Sequence, residues 1–286
     1  MNRLFIFFKN SSNKIVFLCC IILGIVFFYR CKRIEISNGK ICYSYYNNGL
    51  IIIPLENGKY FLIDTGAEYS FIFSDRLKIN STVMGTALVN KERSLPLKRV
   101  DSLQIGNLLI KNNDFVFEEA KNIFFEKDTA IVGIIGMDIF SQKYCYFDIK
   151  NQTLTLSDKI QTQIISPFLI FPYKSFKRPL FNLCINGAIF EDVLFDIGYN
   201  GFLELLETDK ERLKRQIHLQ QDTSYDFFGN IFLNNKYIYD TISINGVNFS
   251  NQEISYGQKR LLGIKFIKCW SSFVIDPFKK EIEFYL

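Results

Sequence analysis

The sequence predicts a mainly β protein built as two homologous barrel-like lobes. Two observations carry that prediction. Short apolar or alternating runs are punctuated by Gly-containing turns along the 286 residues, as half-buried strands in small barrels require. One ordered set of such blocks then occurs twice, and an internal repeat governs the architecture before any single element does.

The first block of each copy is a hairpin. Leu50–Leu55 leads through Asn57-Gly58 into Lys59–Ile63, and Pro179–Ile185 leads through Asn186-Gly187 toward Val193. Asn-Gly supplies the positive φ angles of a tight turn. Each hairpin delivers an aspartate into an Asp-x-Gly turn, Asp64-Thr65-Gly66 and, 132 residues later, Asp196-Ile197-Gly198. Strands with a Gly turn follow at Asp101–Leu108 and Asp240–Val247. An apolar-apolar-Gly block comes next, Ile134-Ile135-Gly136 and Leu261-Leu262-Gly263, and closing strands complete each copy at Thr153–Leu156 and Glu281–Leu286. Between these blocks, 78–98 and 214–236 read as hairpins with tips at Met84-Gly85-Thr86 and Phe228-Gly229-Asn230, either of which suits a flap over a cleft. Leu203–Ile217 reads as a helix rich in Glu, Lys and Arg. The resulting division is 1–40, 41–160 and 161–286.

Charge is concentrated at the start. Residues 1–33 hold six basic side chains and no acid, leaving 28 bases against 29 acids elsewhere, so the body offers no footprint for nucleic acid. Ile15–Tyr29 is uncharged, and as a helix would span about 22 Å, which snorkelling Lys14 and Arg30 would extend. An uncleaved N-terminal transmembrane anchor is expected, with the body outside the cytoplasm. Seven cysteines carry no CxxC or zinc spacing, and neither a metal nor a cofactor is expected. His218, the only histidine, has no nucleophile in a recognisable elbow to serve. The 15 tyrosines and 30 phenylalanines are spread along the strands, where core packing accounts for them.

The paired apolar-apolar-Asp-x-Gly loops and the apolar-apolar-Gly blocks resemble those of the retropepsin-like and pepsin-like aspartic proteases, over roughly residues 45–286. That resemblance implies the acid-protease fold and an endopeptidase in which Asp64 and Asp196 share a proton and activate a water. It implies that Thr65, Gly66, Ile197 and Gly198 support the dyad, that a peptide or protein is the substrate, and that a monomer suffices. The second loop departs from the pattern, with Ile197 where Thr or Ser is expected. The alternative is a catalytically inactive peptide-binding or structural module on the same scaffold.

Overall fold

A computed structural model of the chain describes residues 34–286, apart from 47–48, 56–57, 90–92, 123–127, 160–165, 176 and 214–216. Among these residues the protein is mainly β. The first strands are β1 (Glu35–Ile36), β2 (Gly39–Cys42), β3 (Ser44–Tyr46), β4 (Leu50–Pro54), β5 (Tyr60–Ile63) and β6 (Phe71–Phe73). Next come β7 (Ser81–Val89), β8 (Arg93–Ile105), β9 (Leu108–Glu118), β10 (Ile131–Ile135), the short helix α1 (Met137–Phe140), β11 (Tyr144–Asp148) and β12 (Thr153–Ser157). The rest are β13 (Leu169–Pro172), β14 (Leu180–Ile185), β15 (Ala188–Phe195), β16 (Leu203–Leu206), β17 (Ile217–Tyr225), β18 (Ile231–Ile244), β19 (Val247–Gly257), β20 (Leu261–Leu262), α2 (Ile264–Ile267), β21 (Ser272–Asp276) and β22 (Glu281–Tyr285).

The repeat read from sequence is a repeat of topology. One sheet runs β3-β4-β5-β10-β6-β9-β8-β7 and another β14-β15-β20-β16-β19-β18-β17. From β4 onward, each strand of the first has its counterpart ten strands later. Pairing senses repeat too: β10 is parallel to β5 and antiparallel to β6, as β20 is to β15 and β16. The continuous apolar runs Phe61-Leu62-Ile63 and Ile131–Ile135 form neighbouring parallel strands buried on both faces, where alternation would serve no purpose.

A third sheet, β13-β22-β21-β11-β12-β2, takes strands from both halves. At its centre β11 pairs antiparallel with its counterpart β21, Tyr146 opposite Val274 and Phe147 opposite Phe273. The Phe147 and Phe273 rings stack at 4.4 Å and 6°. Equivalent strands meeting antiparallel define a pseudo-twofold axis, and Ile36–Leu286 fold about it as one compact unit.

Two expectations are corrected. Within the expected helix Leu203–Ile217 the described residues form strand β16 and a 3-10 turn, Glu207–Arg212, with Ile217 opening β17, because Leu203 and Leu205 are buried in a strand clamped between β19 and β20. Helix propensity yields to that packing. Met84-Gly85-Thr86 is no tip: Gly85 (φ +150°) marks a register shift within β7, which runs on to Val89. No described helix is long and apolar enough to cross a membrane. The expected N-terminal transmembrane segment, 15–29, lies outside the described residues.

Candidate functional site

Two turns meet at the pseudo-twofold axis. β5 ends just before Asp64 and β15 just before Asp196, and each aspartate's N–H donates to the matching apolar strand, Asp64 N to Ile135 O and Asp196 N to Leu262 O, both at 3.0 Å. These equivalent bonds hold the two carboxyls at equivalent depth. Behind each turn lies the glycine of the apolar-apolar-Gly block. A Cβ on Gly136 would stand 2.8 Å from the carbonyl oxygens of Ala67 and Tyr69, and one on Gly263 2.6 Å from that of Tyr199. Only glycine lets the backbone pass there.

The turns themselves also need glycine. A Cβ on Gly66 would lie 2.6 Å from Asp196 Oδ2, and one on Gly198 2.7 Å from Asp64 Oδ1. Each loop therefore packs its glycine against the opposite carboxyl, and the two carboxyls are hydrogen-bonded to each other. Asp64 Oδ1 also accepts from Gly66 N (2.7 Å) and Ala67 N (3.2 Å). Burial raises both aspartates above the usual carboxylate range; Asp196 rises well above it, with the Asp64 charge adding to burial. The pair thus holds one proton in common. Asp196 Oδ1 is buried and has no partner among the described residues.

Support for this pair comes from one side. Thr65, fully buried, donates from Oγ1 to Phe195 O (2.7 Å) and accepts from Ile197 N (3.1 Å). Ile197 is equally buried and returns no side-chain bond. The asymmetry continues outward. In the first half Ser70 Oγ donates to Asp138 Oδ1 (2.7 Å) and accepts from Gly136 N (2.9 Å), and Asn113 Nδ2 donates to Asp138 Oδ2 (3.0 Å). Burial pushes Asp138 up to about 6 despite those donors. In the second half Phe202 stands at the Ser70 position and packs on Phe249 and Phe266.

Tyr199 folds back on its own loop, where its ring would occupy the space of a Cβ on Gly201. It hydrogen-bonds Ser255, and burial raises its hydroxyl. Glu204 was not singled out from sequence, where its segment reads as a helix rich in Glu, Lys and Arg. It is buried at 5% exposure, accepts from Asn234 Nδ2 (3.3 Å) and Lys259 N (3.3 Å), and is pushed up to about 7 by burial. Asn234 also donates to Ser224 (3.0 Å), so Glu204 ties the β17–β18 hairpin to the strand that follows the Asp196 loop. Asp148 and Asp276 are turn formers, accepting from the N–H groups of Asn151 and of Phe278 and Lys279. His218 lies in strand β17, away from a helical tail. No described cluster of His, Cys, Asp and Glu could hold a metal ion.

No family model matches the sequence, and no curated protein matches it. Among solved structures, basic 7S globulin from soybean is similar over 88% of this chain and 97% of its own, with a TM-score of 0.52 and 8% identity. Conglutin gamma, a basic 7S globulin from lupine seeds, covers 88% and 95% with a TM-score of 0.51 and 8% identity. For edgp the coverage is 87% and 94%, the TM-score 0.50 and the identity 7%. Identities this low establish a shared fold alone. The expected membership in the aspartic proteases is corrected accordingly, and with it the endopeptidase activity: these likenesses are to two basic 7S globulins and to edgp. Ile197, which removes one of the two reciprocal side-chain bonds across the loops, is the local departure that goes with the correction.

Proposed function

We propose that the chain is a polypeptide-binding module that takes one extended segment over the Asp64–Asp196 pair and holds it without cleaving it. The observation that carries this reading is the half-buried pair with one buried oxygen, Asp196 Oδ1, that accepts no hydrogen bond from a described residue. A buried carboxyl oxygen without a partner costs roughly 1–3 kcal/mol, and a ligand N–H would recover it. Two hairpins, one in each half, each carry an edge strand, β7 and β17. Val83 and Leu88 on one, and Tyr225, Ile231 and Leu233 on the other, are exposed. An edge strand leaves main-chain N–H and C=O groups open for pairing with an extended peptide. One copy suffices, since both aspartates belong to one chain.

Titrating the full chain with fluorescein-labelled peptides of mixed sequence, read by anisotropy, tests the proposal. Saturable binding that weakens at least tenfold in Asp196→Ala, with every peptide recovered intact by mass spectrometry, is the expected result. Folded protein that binds none of the peptides would overturn it. So would peptide cleavage that disappears in Asp196→Asn.

A further inference from the structure

The β17–β18 hairpin reaches out of its own half. Its tip, Asp226–Asn230, places Phe227 against the first half: the Phe227 ring lies 4.8 Å from Phe71 and 6.0 Å from Phe73. Phe71 and Phe73 belong to β6, directly after the Asp64 loop, and Ala67 and Tyr69 of that loop pack against the same apolar cluster. Beside it Phe228 meets Phe227 edge-on at 4.9 Å and lies under the Arg93 guanidinium at 4.3 Å.

The tip is a prebuilt carrier. Asp226 Oδ1 accepts from Phe228 N (3.0 Å) and Asn230 N (2.9 Å), and Oδ2 accepts from Asn230 Nδ2 (2.8 Å). Gly229 closes the turn at φ +79°, donating to Asp226 O. Among the described residues the tip makes its backbone hydrogen bonds within itself, so its hold on the first half is by side chains alone. Phe227 and Phe228 are half-buried, whereas Phe71 and Phe73 are buried. An aromatic side chain that retains exposure, on a tip without backbone ties, can be exchanged for another at small cost.

Resting on the peptide-binding reading above, we propose that the recess on Phe71 and Phe73 is a site for an aromatic side chain of the bound polypeptide, and that Phe227 is its resident occupant in the free protein. A ligand phenylalanine then displaces Phe227, and the tip lifts while the β17 and β18 pairings persist. Competition by an internal group lowers the apparent affinity by the fraction of time the recess is filled.

Three full-length variants test this. Phe227→Ala empties the recess; Asp226→Ala frees the tip without touching the recess; Phe227→Leu keeps it partly filled. Probes are a fluorescein-labelled peptide with one phenylalanine, the same peptide with alanine there, and N-acetyl-phenylalaninamide followed by NMR. The expected result is at least tenfold tighter binding of the phenylalanine peptide by Phe227→Ala, a smaller gain in the other two variants, and no gain for the alanine peptide. Equal gains for both peptides, or a gain for neither in folded protein, would overturn the proposal. If neither peptide binds any form but N-acetyl-phenylalaninamide binds Phe227→Ala and not wild type, the recess stands and the wider reading falls.

Discussion

At the scale of residues, the loop pair is decided by what one hydroxyl can reach. Thr65 Oγ1 serves a carbonyl and an N–H of the opposite loop, and both lie in a fully buried setting. Thr65→Val keeps the shape and leaves Phe195 O and Ile197 N without partners. It is expected to lower unfolding stability by about 2 kcal/mol in urea titrations, since each orphaned buried group costs roughly 1–3 kcal/mol. Ile197→Thr replaces a buried ethyl group by a hydroxyl, and a gained hydrogen bond worth about 1 kcal/mol offsets part of the roughly 1.6 kcal/mol lost with two buried carbons, so a net loss of about 1 kcal/mol or less is expected. A larger loss in Ile197→Thr than in Thr65→Val would contradict the one-sided arrangement. Asp64, Asp196 and their glycines were legible in sequence because turn chemistry is local. The protease role read from them is the part that is corrected, because the same turns can place carboxyls together whatever is then done with them.

At the scale of elements, strand order followed from repeated blocks, but the segment after Asp196 did not. Leu203–Ile217 is charged enough to read as a helix, and the strand state of Leu203–Leu206 is imposed by β19 and β20, partners far away in sequence. That misreading also hid Glu204. Its carboxyl joins β16 to Asn234 of β18 and to the chain before β20, and burial holds it at about 7 against an ordinary 4.5. Below about 4.5 it is protonated in both folded and unfolded chains, and as pH rises through about 7 the folded chain must bury its charge. Stability from this group is therefore full at low pH and lost across that window, by up to ~3 kcal/mol. The melting temperature of Glu204→Gln relative to wild type is expected to rise between pH 4.5 and 7.5. A difference independent of pH would show that the carboxyl does not titrate in that window.

At the scale of the whole molecule, the halves are joined by more than a linker. β2 of the first half closes one end of the shared sheet by pairing with β12, and β13 closes the other by pairing with β22. Between them β11 and β21 meet on the pseudo-twofold axis, their Phe147 and Phe273 rings stacked and fully buried. Neither half retains its layer of this sheet if the other unfolds. Unfolding is thus expected to be a single transition, with Trp270 fluorescence and amide exchange at Ile134 reporting the same midpoint. Phe273→Ala removes one ring from the seam and is expected to cost about 3–5 kcal/mol while lowering both midpoints together. If the Trp270 signal alone shifted, the halves would be separate folding units. The paired aspartates, held in register by this same sheet, would then lose the rigid frame on which every inference about the site depends.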